Sequence, residues 1–178
     1  MKKNEEKHKV VAIPVSFVDD KPRFLTARDR RFGEWIFVTG GCRKSEIYNP
    51  VRCALRELEE ETRGALNLKH CEYSYFKFNF LDEDRTTILV YHVYIIILNI
   101  SRIAQRSIIS HFYTEKHKMD DKKKNREPIK RTYDENDMIN FETLEEFNKK
   151  RRWPLIINNI IQNPDFYISL TSSNRSFF

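Results

Sequence analysis

Short runs of β-branched and aromatic residues recur along the chain, separated by polar turns, and this pattern predicts several strands. The most apolar run, residues 88–100, contains 13 residues. It is shorter than the ~20 residues needed to cross a bilayer, so it predicts a buried strand and no membrane segment. The predicted strands are residues 10–18, 23–26, 35–38, 72–80, 86–98 and 138–141.

Helical periodicity is clearest after Asn49 and Pro50, a pair typical of a helix start. Asn can cap free N–H groups, and Pro fits the first turn. The helix is predicted to run to residue 62, with Gly64 as its C-terminal cap. Two further helices are predicted over residues 144–150 and 154–162. The apolar stripe of the first helix consists of Val51, Ala54, Leu55 and Leu58, at spacings i, i+3, i+4 and i+7.

Two segments show no clear period. Residues 1–9 are expected to be a charged tail. Residues 101–136 are expected to be an insertion with a mobile basic loop, because residues 115–131 hold eight Lys and Arg against four acids. Only a short helix near residues 107–113 is suggested within it. No repeat or composition boundary divides the chain, so residues 1–178 are interpreted as one domain.

Composition adds information on charge and compartment. The net charge is +6, and the isoelectric point is about 9.2. The three Cys residues are an odd number, which argues against a disulfide framework and favours a reducing, cytoplasmic location. No apolar stretch typical of a targeting signal follows the charged N-terminus. The sequence leaves the oligomeric state open.

Candidate chemistry is concentrated in the second half of the first predicted helix. Glu57, Glu60 and Glu61 are at i, i+3 and i+4, so their carboxylates share one face. The helix dipole disfavours acids near the C-terminus by ~0.3–1 kcal/mol each, and these acids also repel one another. A bound divalent cation would relieve both costs, because Mg²⁺ prefers oxygen ligands. Arg56, four residues before Glu60, can pair with it.

The segment from Gly40 to Gly64, GGCRKSEIYNPVRCALRELEEETRG, resembles the signature of the Nudix hydrolases. That signature is Gly-x5-Glu-x7-Arg-Glu-U-x-Glu-Glu-x-Gly-U, with U an apolar residue, and residues 56–61 match it. The order of predicted elements over residues 10–162 is also similar to this family. The resemblance therefore implies an α/β fold of the Nudix type. In this fold helices cover both faces of a mixed sheet as an α/β/α sandwich, and a catalytic loop leads into a helix.

The loop before the matching residues departs from the signature. Gly41 and Arg56 are one residue too far apart, and Tyr48 occupies the ungapped position of the first signature Glu. Glu46 lies two residues earlier, and Arg63 stands where the last signature glycine is expected. In this family the first Glu mainly supports the loop, so its shift concerns loop geometry more than metal binding.

The resemblance implies hydrolysis of a nucleoside diphosphate linked to another group. The implied ligands of Mg²⁺ or Mn²⁺ are Glu57, Glu60 and Glu61. Bound metal would neutralise the pyrophosphate and acidify the attacking water, and Arg56 would orient the carboxylates. A further acid from outside the helix is expected as ligand or general base. Glu135 is the first candidate and Asp137 the second. For Glu135, the alternative of an ordinary acid in a loop with no catalytic role has equal weight.

Candidate substrate contacts surround the helix in sequence. Arginines suit phosphates and aromatic rings suit bases, and glycines allow close backbone approach. The arginines are equally consistent with a solvated loop, and Trp35 fits a packing role better because it begins a strand. The candidates are Arg28, Arg30 and Arg31 for phosphates, Trp35, Tyr48 and Phe32 for a base, and Gly40 and Gly41 for close approach.

The choice of substrate rests on charge and on a loose analogy. A basic surface with a basic insertion suits an RNA backbone. The non-glycine residue after the Glu pair also resembles the viral mRNA-decapping Nudix enzymes. The main hypothesis is removal of the mRNA cap with release of 7-methyl-GDP. The alternatives are hydrolysis of free nucleotides (ADP-ribose, dinucleoside polyphosphates or nucleoside triphosphates), or a catalytically silent RNA-binding module.

Overall fold

A seven-stranded mixed sheet forms the centre of the computed structural model, which describes residues 4–175. The strands are β1 (Glu5–Val18), β2 (Lys21–Asp29), β3 (Trp35–Ile36), β4 (Val38–Gly41), β5 (Glu72–Leu81), β6 (Thr87–Ile97) and β7 (Asn136–Glu142). The main path through the sheet is β3-β2-β1-β6-β5, with β4 paired to β1 and β7 paired to β2. The β1–β6 pair is parallel, whereas the other pairs are antiparallel.

Helices cover both faces of this sheet. They are α1 (Pro50–Glu61), α2 (Arg102–Lys124), α3 (Leu144–Asn148), α4 (Pro154–Ile161) and α5 (Pro164–Arg175). Side chains alternate along β1, because successive residues of a strand point to opposite faces. Val10 and Ala12 pack with α1 and α2, whereas Val11 and Ile13 pack with the core residues of α3, α4 and α5. The predicted α/β/α sandwich with a mixed sheet is therefore confirmed.

The first strand begins earlier than expected. Residues 1–3 lie outside the described part of the chain, but Glu5 to Lys9 pair in parallel with Thr87 to Tyr91 of β6. The prediction of a charged tail is therefore wrong from Glu5 onward. Backbone pairing to a neighbouring strand does not require apolar side chains, and a run of Glu, Lys and His can join a sheet when its side chains stay partly exposed.

The predicted basic loop is largely helical. α2 contains 23 residues, and the Ser101 hydroxyl accepts a hydrogen bond from the Ala104 N–H at 3.2 Å as its N-cap. Only Gln105 and Phe112 of this helix are fully buried, so the apolar period was too weak to indicate a helix. Three lysines in its last turn suit the negative end of the helix dipole. The prediction of a mobile loop is wrong for Arg102–Lys124.

Other boundaries differ less. β2 and β7 extend the predicted strands at both ends, α3 and α4 begin where predicted, and α5 was not predicted. Short 3-10 turns occupy Lys44–Glu46 and Arg131–Tyr133. Among the described helices, none has the length and apolar character required to cross a membrane.

Replacing Phe112 tests whether α2 is a packed element. Phe112 is fully buried, whereas Ile103 of the same helix is 78% exposed. We expect Phe112→Ala to lower the free energy of unfolding by about 3–5 kcal/mol through lost burial and a new cavity. Ile103→Ala should change it by less than about 0.5 kcal/mol. Urea denaturation of both variants measures this, and equally small losses would contradict the packed position of α2.

Candidate active site

The position of α1 on the sheet is fixed by its apolar face. Cys53, Ala54 and Leu58 are fully buried against β1 and β4. Asn49 precedes the helix as predicted, but its side chain makes no capping hydrogen bond. Burial of this stripe turns the acidic face of α1 toward the loop that follows β4.

The C-terminus of α1 ends in two left-handed residues. Arg63 has φ +56° and Gly64 has φ +80°. The Gly64 N–H donates to the Glu59 carbonyl at 2.8 Å, and the Arg63 N–H donates to that of Glu60 at 3.1 Å. This is the geometry of a helix C-cap, as predicted for Gly64. This left-handed conformation is less favourable for arginine than for glycine, because glycine has no Cβ atom. The preference explains why the signature has glycine at this position.

The Arg56 guanidinium joins the loop and the acidic face of α1. Its Nε and Nη2 donate to the two carboxylate oxygens of Glu46, both at 2.9 Å. Nη1 donates to Glu57 at 2.7 Å and to Glu60 at 3.2 Å. Nη2 also donates to the Gly41 carbonyl at 3.0 Å. Arg56 therefore holds Glu46 of the loop and two of the candidate metal ligands, Glu57 and Glu60, around one guanidinium.

Glu46 is a site residue that the sequence analysis did not include among the candidates. Its carboxylate accepts the Arg43 N–H at 2.8 Å, and the hydrogen bonds from Arg56 lower the pKa of Glu46. The signal was present in the sequence, because Gly40 and Glu46 have the spacing Gly-x5-Glu of the signature. The extra residues therefore lie between Glu46 and the helix, near the 95% exposed Tyr48. The lengthened loop still brings Glu46 to Arg56.

Gly40 lies directly against the carboxylate of Glu57. A Cβ atom on Gly40 would come within 2.0 Å of the Glu57 Cδ, whereas a Cβ on Gly41 would meet nothing within 4 Å. Both glycines belong to β4 and not to a turn. The absence of a side chain is therefore required at Gly40, whereas Gly41 approaches α1 through its carbonyl, which accepts the hydrogen bond from Arg56.

For two buried carboxylates of α1, the cost of burial exceeds what their hydrogen-bond partners offset. Glu57 is 7% exposed and Glu61 is 4% exposed. Burial raises the pKa of Glu57 to about 7; Arg56 opposes this rise, and Glu60 and Glu135 add to it. Burial likewise raises the pKa of Glu61 well above its usual range, against a hydrogen bond from Asn136 Nδ2 at 2.8 Å. The site therefore concentrates negative charge in a poorly solvated place.

The structure brings Glu135 toward this acidic face. Burial raises the pKa of the Glu135 carboxyl, and the charges of Glu60 and Asp29 raise it further. Asp137, the second candidate acid, instead accepts two hydrogen bonds from Arg28, at 2.8 and 2.7 Å. That ion pair neutralises both groups, so Glu135 is the better candidate for an acid available to a substrate.

Arg63 connects the end of α1 to the segment that holds Glu135. Its side chain is almost fully buried, and Nη2 donates to the Asn136 carbonyl at 2.9 Å. It also lies 3.5 Å from Asp134 and 5.0 Å from the centroid of the Phe112 ring. Arg63 therefore fixes the residues on either side of Glu135 while holding α2 against α1.

A cavity of about 330 Å³ adjoins Glu135. We call it the arginine cavity, because three arginines line it. Arg30 forms an ion pair with Asp134, and the Arg31 guanidinium lies 5.0 Å from the centroid of the Phe32 ring. The lining residues are Asp29, Arg30, Arg31, Phe32, Arg131, Asp134 and Glu135. Two of the three predicted phosphate contacts, Arg30 and Arg31, thus lie beside the candidate acid.

The remaining predicted substrate contacts lie elsewhere. Trp35 is 9% exposed, and the Lys150 Nζ lies 3.5 Å from the centroid of its ring, so the structure assigns Trp35 to the core. Arg28 is bound to Asp137. Tyr48 projects into solvent on the loop before α1. Trp35 therefore packs in the core, and the guanidinium of Arg28, like that of Arg30, is already paired with an aspartate.

The donor set of the site suits a divalent cation. Within residues 4–175, no three His, Cys, Asp or Glu side chains are already grouped closely enough to enclose a metal ion. Arg56 holds two of the predicted ligands, Glu57 and Glu60, on one guanidinium nitrogen. The carboxylate oxygens are nevertheless hard donors with unrelieved negative charge, which is the chemistry that Mg²⁺ and Mn²⁺ require.

Substitution of the two glycines of β4 tests the approach of Gly40 to Glu57. We expect Gly40→Ala to lower the free energy of unfolding by about 1–3 kcal/mol, because the new methyl group displaces a carboxylate that Arg56 holds. Gly41→Ala is the matched control and should cause no loss. Urea denaturation measures both effects. A tolerated Gly40→Ala would contradict the close packing of Glu57 on β4.

Comparisons with known proteins agree with this geometry. The NUDIX domain family model matches residues 7–156. No curated protein matches the chain significantly in sequence. A putative NUDIX hydrolase from Listeria monocytogenes is 14% identical, with a TM-score of 0.52, and the match covers 96% of this chain and 93% of that one. The NUDIX domain of Shewanella oneidensis NrtR, complexed with ADP ribose, is 13% identical, with a TM-score of 0.51 and coverages of 85% and 80%.

A Caenorhabditis elegans Ap4A hydrolase in a binary complex is 11% identical, with a TM-score of 0.50 and coverages of 97% and 99%. At these identities the structural likeness supports the fold. The family model covers most of the chain, including the loop that holds Glu46 and the helix that holds Arg56 and the three glutamates. The chain therefore belongs to the Nudix family and is a Nudix pyrophosphohydrolase.

Proposed function

We propose that this Nudix pyrophosphohydrolase depends on a divalent cation and cleaves the cap of an mRNA, releasing 7-methyl-GDP and an RNA with a 5′-monophosphate. The observation that carries the proposal is the convergence of the α1 carboxylates and Glu135 beside the arginine cavity. A pyrophosphate is an anion that arginines can bind while a metal-activated water attacks it. The site places arginines for the pyrophosphate next to carboxylates that would bind the metal and activate the water.

Glu57, Glu60 and Glu61 would hold Mg²⁺ or Mn²⁺, which when bound neutralises the pyrophosphate charge and acidifies the attacking water. Arg56 orients two of these carboxylates through Nη1. Its hydrogen bonds to Glu46 tie the loop to the helix. Because each partner is nearly buried, Arg56 keeps the carboxylates in place before substrate arrives.

Glu135 would accept the proton of the attacking water. Its raised pKa moves it toward the range in which a carboxylate is an efficient base near neutral pH. The backbone carbonyl of Glu135 accepts the Arg30 N–H at 3.0 Å. This bond ties the base to the loop that carries the phosphate-binding arginines, so base and phosphate are positioned together.

Basic side chains extend from the cavity onto α2, which supports a long polyanionic substrate. Lys123 of α2 pairs with Asp134 at 2.7 Å on the wall of the arginine cavity. Lys122 and Lys124 lie beside it in the same turn. With the net charge of +6, this arrangement gives an RNA backbone a path leading away from the site, and the affinity for such a substrate should depend on salt.

A free nucleotide is the second candidate substrate. The structurally similar NrtR domain was solved with ADP ribose, and the similar nematode enzyme is an Ap4A hydrolase. The arginine cavity would serve the pyrophosphate of either molecule. A catalytically silent RNA-binding module is less consistent with the chain, because Arg56 and all three α1 glutamates are retained.

The test is a set of hydrolysis assays with Mg²⁺ or Mn²⁺ on capped RNA, ADP-ribose, Ap4A and nucleoside triphosphates. We expect metal-dependent release of 7-methyl-GDP from capped RNA, with KM rising steeply with salt. Glu135→Gln should lower kcat by roughly 10²–10⁴-fold, and Glu60→Gln should abolish turnover. Glu59→Gln is the matched control, because Glu59 lies on the same helix but outside the three-carboxylate set, and it should retain activity.

The outcomes separate the candidate functions. Turnover of small nucleotides alone would contradict decapping and keep the pyrophosphohydrolase mechanism. Turnover in EDTA, or full activity of Glu60→Gln, would contradict the proposed role of the metal and its ligands. Binding of capped RNA in EDTA without any turnover in metal would favour the binding module.

A further inference from the structure

A second cavity, largely apolar, opens beside the arginine cavity. It has a volume of about 400 Å³ and is lined by Asp29, Phe32, Glu34, Ile36 and Trp153. We call it the aromatic cavity. Asp29 and Phe32 line both cavities. The two cavities therefore adjoin at Asp29 and Phe32, and Glu135 lies in the lining of the arginine cavity.

The loop that carries Phe32 is held in one conformation by hydrogen bonds. The Asp29 carboxylate accepts the Phe32 N–H at 2.7 Å. The Asp29 carbonyl accepts the Gly33 N–H at 2.8 Å, and the Asp29 N–H donates to the Glu34 carbonyl at 2.9 Å. Gly33 has φ +66°, a conformation that favours glycine. Phe32 is 60% exposed, so this loop displays an aromatic ring to solvent on a well-defined turn.

Trp153 reaches the same cavity through backbone pairing. The Trp35 N–H donates to the Arg151 carbonyl at 2.8 Å, and the Trp153 N–H donates to the Trp35 carbonyl at 3.2 Å. These bonds tie the segment before α4 to β3, next to Ile36. Two aromatic side chains from distant parts of the sequence thus line one compartment, which suits the flat face of a nucleobase.

Two carboxylates stand in this otherwise apolar wall. Asp29 and Glu34 both line the aromatic cavity. Arg151 lies 3.6 Å from Glu34, but its side chain is 74% exposed, and such a pair contributes little in water. A neutral ring would gain apolar contacts there, and a neutral guanine could also donate hydrogen bonds to the carboxylates. A ring that carries positive charge would also be attracted by the two carboxylates and by the aromatic faces.

We propose that the aromatic cavity binds the base of the substrate and selects a positively charged purine, such as guanine methylated at N7. This assignment rests on the proposed function. The base occupies the space lined by Phe32 and Trp153, and Asp29 and Glu34 face its positive ring. The phosphates then extend into the arginine cavity, where Arg31 packs on Phe32 and so joins the two compartments. The bond to be cleaved comes to lie beside Glu135.

The test is the equilibrium binding of 7-methyl-GDP and GDP to the full chain in EDTA, followed by quenching of tryptophan fluorescence. EDTA removes hydrolysis from the measurement. We expect 7-methyl-GDP to bind at least tenfold more tightly than GDP. Phe32→Ala should weaken its binding by roughly tenfold or more, because a stacking ring is lost, whereas Phe32→Tyr should retain it. Glu34→Gln should reduce the preference for the methylated base.

Tyr167→Ala is the control, since Tyr167 is an aromatic residue of α5 that is 47% exposed and lies outside the cavity. This variant should bind 7-methyl-GDP as tightly as the unmodified protein does. Because Phe32 is exposed, we expect Phe32→Ala to leave the fold intact, and its thermal melting temperature tests this. Equal affinities for GDP and 7-methyl-GDP, or unchanged binding in Phe32→Ala, would overturn the assignment. Methyl-selective binding without cleavage of capped RNA in Mg²⁺ would instead contradict the proposed function and leave the cavity assignment standing.

Discussion

The burial of several carboxylates around a single guanidinium is the constraint on which the site depends. Charges are expensive to bury unless they are paired and hydrogen-bonded. Arg56 pairs with Glu46, Glu57 and Glu60 at once, but one cation cannot neutralise three anions. Burial raises the pKa of Glu57 and Glu61, and the neighbouring carboxylates raise both values further. A divalent cation would supply the missing charge, and this links the packing of α1 to the metal dependence proposed above.

The surrounding elements serve to hold this charge cluster in place. The absence of a side chain on Gly40 allows the Glu57 carboxylate to lie against β4. At the other end of α1, Arg63 binds the segment around Glu135 and packs on Phe112 of α2. The helix that carries much of the basic charge is therefore joined to the acidic face. This coupling explains how an arginine can replace a signature glycine, because its buried contacts offset the cost of a left-handed backbone.

Local patterns in the sequence predicted α1 and most of the strands, because periodicity is a local property. The Arg-Glu spacing carried the resemblance to the Nudix family, and the mixed sheet was expected from that resemblance. Three features depended on distant contacts. Glu46 was not selected because the longer loop hid its spacing to Arg56. α2 was read as a loop because Gln105 and Phe112 alone are fully buried. The aromatic cavity forms because backbone pairing with β3 places Trp153 in the same cavity as Phe32. These residues are far apart in sequence, so no local pattern predicts the cavity.

The stability of the metal-free protein as a function of pH tests the charge cluster most directly. Glu57 titrates near 4.5 when unfolded and at about 7 when folded, so the folded state retains a proton that the unfolded state loses. Stability should therefore fall as pH rises across this interval, by up to about 3 kcal/mol from this group. Saturating Mg²⁺ should restore it above pH 7. Glu57→Gln should reduce the dependence and leave the part that comes from Glu61. An identical pH dependence in Glu57→Gln, with no response to Mg²⁺, would contradict the account.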